Sequence, residues 1–483
     1  METEKNVQGN VTAPCEVPAK GSSESMEPTI AAIATALSPS GLSIIRLSGV
    51  DAVEIADRVF RGSTSLSEAP SHTIHYGHIV DREEVIDEVM VLLMRGPKSY
   101  TREDTVEIDC HGGVYVTRRI LEAVLHAGAA LAAPGEFTKR AFLNGRIDLS
   151  EAEAVIDVIN SQNDFALRSS LSQLSGKLSG RIRSIRDLLL NDMAMIESAL
   201  DDPEHFSLEG MNETFLSHAD QATQELKELK RRSGQGRILK EGIRTVIVGK
   251  PNVGKSSLLN LLSGTDRAIV TDQEGTTRDI LEEHIRIGSL TLNLIDTAGI
   301  RETEDIVEKI GVERAKEVMS QADLVLFVID ISLDLDDNDR KIFSMISEKN
   351  TIIILNKSDL EHKITKEEIL QNLKDQTNIP ILNMSARFDA GTDELEETLM
   401  QLFSEGKIDY DQELFVTNER HLALIDEALS SLAMVRESIQ NELPEDFYTI
   451  DLMNAYSALG SIIGEAVEED LVNRIFEKFC MGK

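Results

Sequence analysis

The feature that most constrains this chain is Gly249-Lys-Pro-Asn-Val-Gly-Lys-Ser256, which fits the pattern G-x-x-x-x-G-K-[S/T]. Such a loop works in one setting: a strand delivers it and a helix leaves it, so that backbone N–H groups wrap phosphate oxygens at a helix N-terminus. The flanking text supplies both, a β-type run at Thr245–Val248 and a helical one at Ser257–Leu262. Asn252, Val253, Gly254, Lys255, Ser256 and Ser257 are then the phosphate-side residues. Lys255 reaches the β/γ oxygens and the Ser256 hydroxyl goes to Mg2+. A chain with this loop contains a parallel α/β sheet, which excludes an all-α or all-β fold.

Three later segments narrow the ligand. Asp296-Thr297-Ala298-Gly299 follows an apolar run, placing Asp296 to hold Mg2+ through water and the Gly299 N–H near a γ-phosphate. Asn356-Lys357-Ser358-Asp359 follows Thr351–Leu355. The Asp359 carboxylate can accept from both N1–H and the 2-amino group of guanine, a pairing adenine cannot offer. Ser385-Ala386-Arg387 follows the last strand and can present a backbone N–H to guanine O6. Each motif is weak alone, but the four in this order imply GTP. Ile300 stands where many small GTPases place a water-orienting glutamine. Isoleucine cannot polarise water, so hydrolysis is either slow or served by a group outside these motifs.

Around this domain the text changes character. Residues 1–27 are rich in Ser, Glu, Pro, Asn and Gly and read as a disordered extension. Residues 28–149 mix strand patterns with helical ones at Ala52–Phe60 and Val114–His126, an α+β domain. Residues 150–241 are helical, with patterns at Ser150–Asn160, Phe165–Ala199 and Glu213–Arg232, interrupted by Gly234 and Gly236. Residues 242–405 hold the strand–helix alternation of a parallel sheet with crossover helices. Residues 406–483 return to long helices. The fold class expected is therefore an α/β P-loop GTPase domain inserted in an all-α helical domain, preceded by an α+β domain.

Composition excludes several classes. With 84 acidic and 49 basic residues the formal charge is −35, which argues against gripping nucleic acid by bulk electrostatics. The three cysteines, Cys15, Cys110 and Cys480, are too far apart for a disulfide framework or a C-x-x-C pair, which fits a reducing cytoplasm. The longest apolar runs, such as Val89–Met94 and Leu324–Ile329, are too short to span a membrane. The first ten residues resemble neither a signal nor a transit peptide.

Gly275-Thr-Thr-Arg-Asp279, Asp296-Thr-Ala-Gly-Ile-Arg301 and the terminal Phe479-Cys-Met-Gly-Lys483 resemble the MnmE (TrmE) family of tRNA-modification GTPases. So do His111-Gly-Gly113 and Gly135-Glu-Phe-Thr-Lys-Arg-Ala-Phe-Leu-Asn144. The likeness runs from about Thr29 to the end. It implies a folate-binding N-terminal domain and a homodimer. It also implies a cytoplasmic complex, a heterotetramer or larger, with the flavoprotein MnmG (GidA). That complex adds a carboxymethylaminomethyl-type group at C5 of the wobble uridine of certain tRNAs. The cofactors implied are K+, Mg2+ and 5-formyl-tetrahydrofolate or a related reduced folate.

Position by position, Asn252, Thr271, Gln273 and Thr276 match the K+ contacts, and Thr277 joins Ser256 on Mg2+. Asp272, Glu274 and Gly275 complete that loop beside the nucleotide. Glu308 matches the family's water-activating glutamate, filling the gap left by Ile300. Arg46, Glu107, Arg146 and Lys483 match folate contacts, basic groups suiting its glutamate carboxylates and a carboxylate its pterin amino group. Arg146 stands where lysine is common in the family, Asp201-Asp-Pro-Glu-His205 departs from the usual acidic stretch, and the first 27 residues have no counterpart.

Plainer readings stand beside these. Cys480 shares a stripe with Leu471, Ile475, Phe476 and Phe479 that reads as core, and a nucleophilic role in carbon transfer stays open beside it. His72, His75 and His78 alternate faces on a strand and cannot converge on one metal. Cys110 and His111 point apart and read as packing near the folate site. Arg181, Arg183 and Arg186 read as solvated charges on a long helix. Two other classes remain open at this point: a ribosome-assembly GTPase switch, and a folate-dependent one-carbon transferase with a regulatory G domain.

Overall fold

The computed structural model describes residues 27–161, 163–202, 205, 208, 210–264, 283–288, 290–295, 319–346, 350–373, 379–403, 416–465, 467, 469–477, 479 and 482. The expected N-terminal extension up to residue 26 lies outside them. Two compact units emerge: the described residues up to Arg146 together with those from Asn473 onward, and Ile147–Val472.

The first unit contains β1 (Ile30–Ile33), β2 (Ser43–Ser48), α1 (Ala52–Val59), β3 (Phe60–Gly62), β4 (Thr73–Asp81), β5 (Glu84–Met94), β6 (Thr105–Cys110), α2 (Val114–His126), β7 (Ala130–Leu131) and α3 (Glu136–Leu143). Its seven strands run in the order β3-β4-β5-β6-β2-β1-β7. All neighbours are antiparallel except β1 and β7. Alternation along the strands puts Ile45, Leu47, Val91, Leu93, Val106 and Ile108 into one core with α1 and α2. The opposite face is polar at its centre, where Arg46 and Glu107 sit in register. Phe60, expected as the end of the first helix, instead starts strand β3.

In the second unit the chain enters through α4 (Leu149–Ile159), whose capping box is made by Asp148 and Glu151. The single helix expected over Phe165–Ala199 is two, α5 (Asp164–Leu174) and α6 (Lys177–Asp201). They separate at Gly176, whose φ of +80° leaves the right-handed helix. Gly234 and Gly236 behave in the opposite way: α7 (Asn212–Glu241) runs through both. An interior glycine costs a helix only about 1 kcal/mol. The glycine that follows the helix end is Gly242, at φ +88°.

After α7 come β8 (Ile243–Val248), α8 (Lys255–Gly264), β9 (Glu283–Ile287), β10 (Leu290–Leu294), β11 (Leu324–Asp330), α9 (Asp337–Met345), β12 (Thr351–Asn356), α10 (Lys366–Asn372), β13 (Ile381–Asn383) and α11 (Thr392–Phe403). The strand order is β13-β12-β11-β8-β10-β9. Five strands are parallel, but β9 is antiparallel to β10 and departs from a purely parallel sheet. Helices cover both faces, so the central strands are apolar throughout. Leu324, Leu326 and Val328 pack with α8 and α11, whereas Val325, Phe327 and Ile329 pack with α9 and α10. Phe165 of α5 also belongs to the first of these cores. Beside it Asn163 Nδ2 donates to Thr291 Oγ1 (3.3 Å) and Arg286 donates to Asp164 (3.3 Å).

The chain then returns to helices: α12 (Glu419–Gln440), α13 (Glu445–Ile463) and α14 (Glu469–Phe476). Helices α6, α7, α12 and α13 share one core, including Leu189, Phe215, Leu432 and Tyr448. Arg420 and the fully buried His421, at the start of α12, both bond Glu153 of α4 at 2.7 Å. Burial alone would raise the Glu153 carboxyl, but these two partners outweigh it and hold it at about 2. One of the arginines expected to be solvated is not. Arg186 is buried, ion-paired with Glu465 and stacked 4.1 Å over the Tyr456 ring. Arg181 and Arg183 do remain largely exposed, each beside one acidic side chain.

Candidate functional site

The phosphate-binding loop leaves the C-terminal end of β8, one of the two central strands of its sheet, and enters α8. Ligands of open α/β sheets gather at this end of the strands. Tight backbone geometry explains the two glycines. Gly249 has φ +149° and a Cβ there would strike the Val328 carbonyl; Gly254 has φ +102° and a Cβ would strike Asn356 Nδ2. Asn252 takes a left-handed φ of +62°. Lys255 Nζ donates to the carbonyls of Gly249 (2.5 Å) and Lys250 (2.8 Å), which curls the loop around its own lysine. Val253 is buried, so it offers only backbone. Ser256 and Ser257 lie exposed in the first turn of α8.

The residues after β12 lock this loop to the one after β13. Asn356 is buried; its Nδ2 donates to Val253 O (2.8 Å) and its Oδ1 accepts from the Ala386 N–H (3.2 Å). Lys357, at φ +64°, donates to Asn252 O (3.0 Å) and to Asp330 (2.5 Å). Burial would raise the Asp330 carboxyl, yet hydrogen bonds from Lys357 and Ser332 bring it below the usual carboxylate range. Asp359 is exposed and accepts from the buried Ser385 hydroxyl at 2.6 Å. Ser358 N–H bonds Met384 O (3.1 Å), and Arg387 stacks 5.4 Å from the Phe388 ring. Asn356 and Lys357 therefore hold loops, and Asp359 is the group left open to a base. The other predicted members, Thr271 to Thr277, Asp296 to Gly299 and Glu308, lie outside the described residues, so Asn252 and Ser256 are the described members of the cation sets.

In the first unit, three of the four positions expected for folate, Arg46, Glu107 and Arg146, come together. Arg46 Nε bonds Glu107 Oε1 at 2.7 Å, directly across β2 and β6. The Arg46 guanidinium lies 5.7 Å from the Tyr100 ring and 5.8 Å from that of Phe137, and Arg146 lies 4.6 Å over Tyr100. Arg46 also donates to the carbonyl of Gly482, 436 residues away (3.2 Å). Gly482 has φ +89°, and a Cβ there would strike the Ile33 carbonyl. Two residues along β6 on the same face, the Asp109 carboxyl is pushed up by burial and by Glu107; its buried Oδ1 has no partner among the described residues. Two guanidiniums, aromatic rings and carboxyls with unused hydrogen-bonding capacity suit a flat, polar, anionic-tailed molecule. Tyr100, Phe137, Asp109 and Gly482 are not assigned to this site by the sequence: strand pairing brings Asp109, helix α3 brings Phe137, and Tyr100 and Gly482 arrive on segments outside the strands. Lys483 and Cys480 lie outside the described residues.

The remaining candidates have ordinary partners. His75 bonds Thr73 (2.7 Å), His111 bonds Asp87 (2.8 Å), and Cys110 is buried against Ser43 O, its thiol pushed up to about 11, chiefly by burial. Among the described residues no helix is long and apolar enough to cross a membrane.

The loops after β8, β12 and β13 define a nucleotide-binding P-loop domain with a guanine-type specificity loop. Comparison with known proteins narrows this further. Residues 149–480 match the family described as the MnmE helical domain, and residues 29–146 match the GTP-binding protein TrmE N-terminus. The curated tRNA modification GTPase MnmE of Lachnoclostridium phytofermentans is 55% identical over 458 residues, covering 94% of this chain and 99% of its own. Those of Geobacillus kaustophilus and Bacillus subtilis are 46% and 45% identical over 94% of this chain, covering 99% and 100% of their own. The G domain of the T. maritima FeoB iron transporter matches 34% of this chain and 99% of its own at 28% identity, with a TM-score of 0.25, too low to bear on the fold. This chain belongs to the MnmE family of tRNA modification GTPases.

Proposed function

We propose that this chain is a K+-dependent GTP hydrolase that works with the flavoprotein MnmG (GidA) to modify C5 of the wobble uridine in tRNA. The observation that carries the reading is the linked pair of loops, in which Asn356 and Lys357 brace the phosphate loop while Asp359 stays open to guanine. The relatives named tRNA modification GTPases support the substrate class.

In this reading Lys255 and the loop amides hold the phosphates, and Ser256 and Thr277 hold Mg2+, with Asp296 acting through water. Asn252, Thr271, Gln273 and Thr276 hold K+ against the phosphates, where a fixed cation offsets charge that develops during transfer. Glu308 orients or deprotonates the attacking water, since Ile300 cannot. Arg46, Glu107, Arg146 and Lys483 hold a reduced folate, which supplies the one-carbon unit. The working state is a cytoplasmic homodimer, with two G domains meeting during hydrolysis and the N-terminal domains pairing at the folate.

Single-turnover GTP hydrolysis in KCl and in NaCl, for the wild type and Glu308→Ala, tests the catalytic part. The wild type is expected to be fast only in KCl. The variant is expected to be slower by about 10²–10⁴-fold, the worth of a positioned acid–base group, with GTP affinity nearly intact. A variant as fast as the wild type in KCl removes Glu308 from catalysis.

A further inference from the structure

The phosphate-binding loop carries two lysines, and by charge either could serve a phosphate. Lys255 opens helix α8, where the motif requires it. Lys250, one residue into the loop, is engaged elsewhere. Its Nζ lies 2.7 Å from Asp339 and 3.1 Å from Asp336, and only 11% of its side chain meets solvent.

Both carboxylates are fixed before the lysine reaches them. Asp336 caps α9 and accepts from the Asn338 and Asp339 N–H groups (2.8 and 3.1 Å). Asp339 returns the bond by accepting from the Asp336 N–H (3.1 Å), which completes a capping box. The Asp339 side chain is fully buried, and its Oδ1 has no partner among the described residues. Burial works against the Lys250 charge, but the two carboxylates outweigh it and keep its pKa above that of an ordinary lysine. Lys250 is thus an ammonium whose charge is spent on α9. Its own carbonyl accepts from Lys255 Nζ at 2.8 Å, so where Lys250 is held decides where Lys255 is held.

We propose that Lys250 is a positioning residue, not a phosphate ligand: with Asp336 and Asp339 it ties the first turn of the phosphate-binding loop to the start of α9 and presets the nucleotide cradle. The inference rests on the GTP reading and adds the means by which that site is held. A tie of this kind acts on the cradle, so it serves GDP and GTP alike. A phosphate ligand discriminates between them, because it gains more from the added charge.

The test is calorimetric affinity for GDP and for a non-hydrolysable GTP analogue, on full-length wild type, Lys250→Met, Lys250→Arg, Asp339→Asn and the Lys250→Met/Asp339→Asn pair. Lys250→Met is expected to weaken both nucleotides by the same factor of about 10, within the usual coupling range of contacting residues. Asp339→Asn keeps an acceptor for the cap but removes the charge, and is expected to reproduce that loss. The double variant should be no worse than either single one. Lys250→Arg, whose guanidinium can reach both carboxylates, should stay within about 3-fold of wild type. In steady state the loss should fall on KM, with kcat in KCl little changed.

A loss for the GTP analogue much larger than for GDP, or an Asp339→Asn protein that binds like wild type, overturns the tie. So does a folded Lys250→Met protein with wild-type affinity. Should that variant fail to fold, Asp339→Asn and Lys250→Arg decide the question alone. A wild-type protein that binds no guanine nucleotide overturns the GTP reading instead.

Discussion

The nucleotide loops and the Arg46 cluster are assembled by opposite means. The first is written in short contiguous segments, each of which places backbone groups by its own glycines and left-handed residues: Gly249, Asn252, Gly254, Lys357. The second is made of side chains scattered over the chain, Arg46, Tyr100, Glu107, Phe137 and Arg146, with the backbone carbonyl of Gly482, gathered in part by the pairing of β2 with β6 and by a C-terminal segment. A local motif can be read without knowing the fold. A cluster built on strand register is reached from the sequence only through a family resemblance, because a one-residue slip would turn Arg46 or Glu107 to the other face.

The two sites should therefore fail independently, and the largest expected effect is at the base-recognition carboxylate. Asp359→Asn removes a charged acceptor, where each such hydrogen bond contributes about 1.5–3 kcal/mol. GDP affinity should fall by about 10²-fold, with binding of 5-formyl-tetrahydrofolate unchanged in the same calorimetric series. Arg46→Ala reverses the pattern. It leaves Glu107 without its cation and should weaken folate by about 10-fold or more, with GDP affinity intact. Loss of both ligands in either variant would show that the sites are coupled and not merely coexistent.

A smaller effect is expected at Gly482. An alanine there meets the Ile33 carbonyl and sits at a φ that costs an L-residue about 1–2 kcal/mol. Gly482→Ala should loosen the contact to Arg46 and weaken folate by about 5-fold, again without touching GDP. The smallest effect is chemical. Cys110 lies on β6 in the core that α1 and α2 cover, with its thiol at about 11. At pH 8 only about one part in 10³ is thiolate. Alkylation of its peptide, followed by mass spectrometry, should be slow at pH 8 and rise steeply toward pH 11, with folate affinity unaffected by the pH 8 treatment.

Helix and strand existence was legible wherever the apolar pattern was strong, continuous in β11 and β12 and periodic in α2. The failures have separate causes. Gly234 and Gly236 looked like a boundary, but glycine is a weak breaker inside a long packed helix. Gly176 lies within the helical pattern over Phe165–Ala199, yet a left-handed φ there splits α5 from α6. Arg186 reads as solvated because charge on a helix usually is, but in the fold it is buried with Glu465 and Tyr456 as partners. Strand β9 carries charged residues, Glu283 and Arg286 among them, that mask an edge strand antiparallel to its neighbour.

By itself the sequence determined the phosphate-loop motif, the Asn356–Asp359 motif and the family, because these depend on residue type at fixed short spacing. Tertiary structure alone decided which charges are spoken for. Lys250 and Asp339 are 89 positions apart by their numbering, Arg46 and Gly482 far more, and no spacing rule reaches that distance. It also decided that Phe165, which reads as part of a helical segment, completes the core of the nucleotide-binding sheet. Burial and ion pairing are properties of neighbours in space, and the chain acquires those neighbours only on folding.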